Sequence, residues 1–133
     1  MNPVLIGGAL LGLLSVILGA AAEHWLGSRV EPATMASVAT AVRYHQFAAL
    51  VITGIGLALL AHVPTRTARF LRLSAAFFLI GAFLFSFSIY LSAFTGIAAL
   101  GRVTPLGGIS LMLGWLVLAW AGWVHRDASA NNA

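Results

Sequence analysis

The sequence predicts an all-α integral membrane protein: a four-helix bundle with a short interfacial helix between its first and second spans. Three observations predict this. Of the 133 residues, 61% are hydrophobic and only 8% charged, whereas a soluble domain carries about 25% charged residues. Mean hydropathy is +1.01, and the apolar residues gather into four runs, each near the roughly 20 residues that a spanning helix needs. Small residues also recur at helical spacing, as Gly8, Gly12, Ser15 and Gly19, as Gly54 and Ala58, and as Ser110 and Gly114. Helices in a bilayer associate through the close contact that small residues permit. A soluble enzyme and a disordered chain are both excluded, and function is confined to the bilayer and its surface.

The chain reads as a single transmembrane domain over residues 1–133, with spans at about 4–24, 41–62, 71–94 and 104–124. Ala20-Ala21-Ala22 resembles a signal-peptide cleavage site, but Met1-Asn2-Pro3 lacks a basic residue and the apolar run is long for a signal. The first span is therefore expected to be retained. Glu31-Pro32 reads as a helix start, with Pro at the first helical position. Met35, Val38 and Val42 then share one side, which predicts the short interfacial helix. Pro64 ends the second span, the Gly96–Val103 stretch is the turn after the third, and Thr104-Pro105 opens the fourth. The polar tail begins at Arg126.

All seven basic residues are Arg. The isoelectric point near 11.3 suits a nucleic-acid binder, but the arginines are scattered rather than striped, so no nucleic-acid partner is expected. Short Arg-rich loops stay cytoplasmic. Arg66, Arg69 and Arg72 in a tight loop, with Arg126, share a side with both termini, against Arg29, Arg43 and Arg102. Both termini are expected inside. Trp25 at one interface and Trp120 and Trp123 at the other suit an aromatic belt. The absence of Cys excludes disulfides, thiolate metal sites and Cys nucleophiles.

Polar side chains at membrane depth are costly and often mark a site. On this topology they gather toward the outer leaflet: Glu23 and His24 end the first span, and Arg43, Tyr44, His45 and Gln46 open the second. Ser86, Ser88 and Tyr90 lie in the third, and Thr104 begins the fourth. Ser86 and Tyr90, four apart, share a helical face. Glu23 and Arg43 are a candidate ion pair. His24, Tyr44, His45, Ser86, Ser88, Tyr90 and Thr104 form the candidate binding cluster, and two readings of it stand open. One is interfacial residues satisfying helix ends; the other is a ligand, ion or proton site. Bis-histidine haem ligation wants deeper imidazoles than His24, His62 and His125, at the ends of their runs, or His45, about one turn inside. No i, i+4 ligand pair supports a metal at Glu23, His24 and His45. His62 and His125 read as helix C-terminal residues, and the Arg cluster as a topology determinant within reach of anionic lipid. No nucleotide loop, nucleophile elbow or HExxH appears, so no catalytic residue and no enzyme activity is expected. No cofactor is assigned.

Val103-Thr104-Pro105-Leu106-Gly107-Gly108-Ile109, followed by Gly114-Trp115, is similar to the Thr-Pro-x-Gly-Gly…Gly-Trp pattern of the family called domain of unknown function 423. The Phe85–Tyr90 stretch resembles its Phe-Ser-Gly-Ser-Leu-Tyr segment with Phe87 in place of glycine, and the Gly19–Leu26 stretch its Gly-Ala-Phe-Gly-Ala-His segment. The start of the second-span motif is matched by Ala41-Val42-Arg43-Tyr44. The family continues Tyr-Gln-x-x-His-Ala-Leu, whereas here His45 follows Tyr44 and the family's histidine position holds Ala48. Glu23 stands where a small residue is usual. The resemblance implies a four-helix bacterial inner-membrane protein and no reaction.

The expected function is a non-enzymatic module that binds a lipid or small molecule, or a subunit of a larger membrane assembly. Its expected partners are membrane lipids, a second copy, or another membrane protein. The alternatives are a redox or proton-handling subunit holding haem, quinone or metal, and a small oligomeric channel or transporter.

Overall fold

The structure, a computed structural model, describes residues 1–130, with side chains through His125. Among these residues the chain is all-helical. Helix α1 (Pro3–Ala21) starts with Asn2, whose side chain accepts from the Leu5 N–H at 3.2 Å, and with Pro3 in the first turn. Pro suits that position because its missing N–H would have no helical partner there. The Asn2 amide also donates to the Gly56 carbonyl at 2.7 Å, tying the start of α1 to the end of α2. A π-helical turn, Ala22–Leu26, finishes the first rod.

Helix α2 (Pro32–Ala58) starts at Pro32 as expected, but it is a single helix of 27 residues. The short interfacial helix and the second span are thus one element, because no Gly or Pro interrupts residues 33–53. It stops at Ala58, before the expected end at 62, in tight i→i+3 turns from Leu60 N–H to Leu57 O and from Ala61 N–H to Ala58 O. Pro64 then caps α3 (Thr65–Ala82) rather than closing α2. Consequently Arg66, Arg69 and Arg72 lie in the first turns of α3, not in a loop. Phe83–Phe87 is a second π-helical turn, continued by α4 (Ser88–Thr95) and ended by Gly96 at φ +73°. This left-handed closure is open to glycine at little cost. A 3-10 segment, Ala98–Val103, leads into α5 (Thr104–Ala130), which runs past the expected end of the fourth span. The side chains of the expected polar tail, Arg126 among them, lie outside the described residues.

Among the described residues, three helices are long and apolar enough to cross a membrane: Pro3–Leu26, Thr65–Thr95 and Ala98–His125. In α2 the run Arg43-Tyr44-His45-Gln46 lowers the hydropathy. The outward surface carries Leu10, Leu13, Val16, Leu50, Leu116 and Trp120, all exposed, a surface suited to hydrocarbon and not to water.

The rods pack as two close antiparallel pairs. In the first, a Cβ on Gly8 would lie 2.6 Å from the Thr53 nitrogen, and one on Gly56 would lie 2.5 Å from the Leu5 Cα. Gly12 faces Ala49 and Gly19 faces Val42, so the predicted stripe of α1 is the contact surface. The predicted stripe of α2 is not: Gly54 meets nothing within 4 Å and Ala58 is exposed. Gly56 lies three residues beyond Thr53 and takes that role, because the phase is set by Thr53 and Ala49. In the second pair, Ser110 Oγ donates to Phe77 O and Ser74 Oγ to Gly114 O, both at 2.8 Å. A Cβ on Gly107 would strike the Phe85 nitrogen. The pairs join through α2 and α3, around Ala48, Ile52, Ala75, Phe78 and Ala82.

Candidate functional site

The polar residues predicted to cluster separate into three sets. Ser86, Ser88 and Thr104 are hydrogen-bonded locks. Ser86 is fully buried and its Oγ donates to the Ala41 carbonyl at 2.9 Å, joining the π-helical turn to α2. Ser88 Oγ contacts the Phe85 carbonyl at 2.9 Å and Thr104 Oγ1 at 2.7 Å, joining α4 to α5. Residues two apart in a helix point about 200° apart, so Ser86 and Ser88 reach opposite neighbours. Their three hydroxyl protons are spent on these bonds, so none is left to donate to a ligand.

The second set is His45 with Tyr90. Cβ atoms tilt toward the N-terminus of their own helix, and these two helices run antiparallel, so the side chains converge near Ala41. His45 Nδ1 lies 3.4 Å from the Tyr90 hydroxyl, at the long limit for such a bond. His45 is 0% exposed, deeper than the one turn its sequence position suggested, and the Phe87 ring is 5.3 Å away. The Leu11 backbone of α1 lies beside it, yet Nε2 has no hydrogen-bond partner. Ala48, where the resembled family carries histidine, is also buried, one turn further along the same side of α2.

The third set stays outside. His24, Glu23 and Arg43 are exposed, and no ion pair joins Glu23 to Arg43. The register of α1 on α2 places Gly19 against Val42, which leaves Glu23 about a turn beyond Arg43 along the axis. Tyr44 is 43% exposed and packs on Phe85 and Phe47, with centroids at 4.9 and 6.4 Å.

Tyr44 instead marks the rim of a feature not expected from the sequence. Between α2 and α5, with α3 as its floor, lies an open groove of about 670 Å³ walled by Tyr44, Phe47, Val51, Phe85, Met112 and Trp115. Small-molecule sites span roughly 300–1,000 Å³ and are mostly apolar. The sequence carried a partial signal of it: aromatic and apolar residues at three- and four-residue spacing on two helices, with Gly108 leaving the wall low. No group of three or more metal-ligating side chains occurs among the described residues.

A family model described as "Protein of unknown function (DUF423)" matches residues 18–108. The chain is 34% identical over 119 residues to a "UPF0382 membrane protein" of Haemophilus influenzae, covering 90% of this chain and 92% of the relative. It is 32% identical over 123 residues to the "UPF0382 membrane protein YwdK" of Bacillus subtilis, covering 91% and 96%. With the "UPF0382 inner membrane protein YgdD" of Escherichia coli K12 it shares 31% over 115 residues, covering 86% and 85%. No solved structure matches the chain.

Proposed function

This chain belongs to the DUF423 family of membrane proteins, and from that premise we propose that it is a non-enzymatic lipid-binding module of a bacterial plasma membrane. It crosses the bilayer four times with both termini in the cytoplasm. The packing of α2 supports its role as the second span: it lies antiparallel along α1 from Gly8·Thr53 to Gly19·Val42, so a bilayer that encloses α1 encloses α2 as well. The first rod has 24 residues, about 36 Å at the helical rise. Its length suits the roughly 30 Å hydrocarbon core. The arginines at the start of α3 then favour the cytoplasmic side.

The groove between α2 and α5 is the observation that carries the lipid reading. Its walls are apolar and aromatic and it opens sideways, toward hydrocarbon, so its natural occupant is a lipid chain. Native mass spectrometry of the full chain released from mild detergent tests this. A Cβ on Gly108 would meet only Phe85 Cδ2, at 3.9 Å, so Gly108→Leu extends into the groove without displacing the backbone. The wild-type chain is expected to retain lipid and Gly108→Leu to lose it. Equal retention would overturn the reading.

The buried imidazole favours a second reading, a proton-handling or redox subunit, since a fully buried nitrogen without a partner at membrane depth suits proton transfer. Proton flux in liposomes that disappears with His45→Leu would favour it over lipid binding.

A further inference from the structure

Where the first rod hands over to α2 lies a second cavity, of about 560 Å³, within the size range of small-molecule sites. Its two walls come from distant parts of the chain. The turn after Leu26 and the start of α2 bring Arg29, Glu31 and Thr34, and α4 with the 3-10 segment brings Ser92, Gly96 and Gly101. The turn is tight, since the Leu26 carbonyl accepts from the N–H groups of Arg29 and Val30 at 2.8 and 3.1 Å. On the facing side Ile89, Ser92, Ala93 and Gly96 recur at three- and four-residue spacing and so share one helical face. Val30, Ile89 and Ala93 pack on the buried cluster that includes Leu26, Val38 and Tyr90, which ties both walls to the bundle. The groove is walled by apolar and aromatic side chains, whereas this cavity mixes charged, hydroxyl and small apolar ones.

Arg29 and Glu31 stand two residues apart and line the same cavity. Among the described residues no ion pair joins them, and neither side chain has another partner. The backbone start of α2 contributes little. Pro32 has no N–H, and the Thr34 and Met35 N–H groups already donate to the Glu31 carbonyl at 3.0 and 3.1 Å. Recognition therefore falls to the side chains. A cation and an anion held apart in one cavity disfavour a simple anion, which Glu31 repels, and a simple cation, which Arg29 repels. They suit a zwitterion: Arg29 donates to its anionic end, in the fork geometry that fits phosphate, and Glu31 accepts from its ammonium. The ammonium is a primary one. A quaternary ammonium has no N–H to give Glu31 and is held by aromatic faces, and no aromatic residue lines this cavity. Depth selects the anion. On the four-span reading, Arg29 and Glu31 come just past the 24-residue rod Pro3–Leu26, whose length matches the hydrocarbon core, and so they lie among the headgroup phosphates.

We propose that this cavity binds the phosphoethanolamine group of a phospholipid, with its phosphate on Arg29 and its ammonium on Glu31. The site rests on α1 as a membrane span and is independent of what occupies the groove.

The test uses the full chain equilibrated with equimolar phosphatidylethanolamine, phosphatidylcholine and phosphatidylglycerol, with the lipids retained counted by native mass spectrometry. The wild type is expected to prefer phosphatidylethanolamine over both others. Glu31→Gln, which keeps the shape and removes the charge, is expected to lower the preference over phosphatidylcholine about tenfold, the scale of one hydrogen bond to a charged group. Arg29→Gln is expected to lower retention of phosphatidylethanolamine itself. Both residues are exposed and unpaired, so both variants are expected to fold. A Cβ on Gly101 meets nothing within 4 Å, so Gly101→Leu is expected to fill the cavity and remove the preference while the groove keeps its lipid. A wild-type chain that retains the three lipids equally, or a Glu31→Gln chain that matches the wild type, would overturn the headgroup assignment and leave the groove intact. Retention of free phosphoethanolamine in place of phosphatidylethanolamine, both offered at one concentration, would overturn the choice of a lipid. Loss of preference only in Gly108→Leu would assign selection to the groove instead.

Discussion

Removing His45 and Tyr90 together should cost less than removing either alone. The Tyr90 hydroxyl has His45 Nδ1 as its hydrogen-bond partner, at 3.4 Å, and His45 Nε2 has none. Tyr90→Phe forfeits that bond, worth about 0.6 kcal/mol on average between membrane helices. It also strands the second imidazole nitrogen, and an unsatisfied buried group costs about 1–3 kcal/mol. A net loss of about 2 kcal/mol follows. His45→Leu loses the same bond and strands the hydroxyl, but it also removes the nitrogen already stranded, so its loss is smaller, about 0–1 kcal/mol. The double variant leaves neither polar group, and it should be at least as stable as the wild type, better than the sum of the singles by at least about 2–3 kcal/mol. Equilibrium unfolding in mixed micelles of mild detergent and dodecyl sulfate, followed by tryptophan fluorescence, gives the three differences. Strict additivity, with the double variant the least stable, would refute the inference that the two side chains hold one another and that Nε2 is a liability. The cycle also bears on function. Neither residue lines the groove, so the double variant should keep its lipid, and loss of lipid would place the imidazole in the binding machinery.

Gly8→Ala puts a methyl 2.6 Å from the Thr53 nitrogen, whereas Gly7→Ala meets nothing within 4 Å. The helix-propensity gain is common to both, so Gly8→Ala should be the less stable by about 1–3 kcal/mol, the cost of overpacking; equal unfolding midpoints would count against α1 and α2 meeting there. A cysteine introduced by Thr65→Cys should react with an impermeant thiol reagent in inverted membrane vesicles and not in intact cells, and labelling from outside would reverse the orientation.

The sequence made the cost of polar residues in hydrocarbon visible, and with it the level at which Ser86, Ser88, Tyr90, His45 and Thr104 gather. It could not distribute them. Whether a serine is spent depends on a carbonyl 45 positions away, as with Ser86 and Ala41, and that distance is fixed by packing, not by local pattern. The two π-helical turns add to this, since each shifts the phase of the residues after it relative to a uniform 3.6-residue period. The small-residue stripes show the same boundary between local and tertiary information. The stripe of α1 was long enough to define a face, whereas Gly54 and Ala58 were only a pair. The phase of α2 is set by what Gly8 and Gly12 touch.

Thr67 was hidden by a different cause. Pro64 is compatible both with ending the second span and with capping the third, because proline stops the helix before it and suits the start of the helix after it. Read as a terminator, it leaves Arg66, Arg69 and Arg72 in a loop and Thr67 as an unremarked loop hydroxyl. As a cap it brings the helix start forward by six residues, turns Arg66 and Arg69 outward, and places Thr67 in the first turn, where it is buried. The surroundings of Thr67 therefore depend on which helix Pro64 belongs to. Replacing Pro64 with Ser supplies the capping side chain that α3 lacks, and on this reasoning it should stabilise the start of α3 by about 1 kcal/mol, read as a higher unfolding midpoint; an unchanged midpoint would count against Pro64 as the cap.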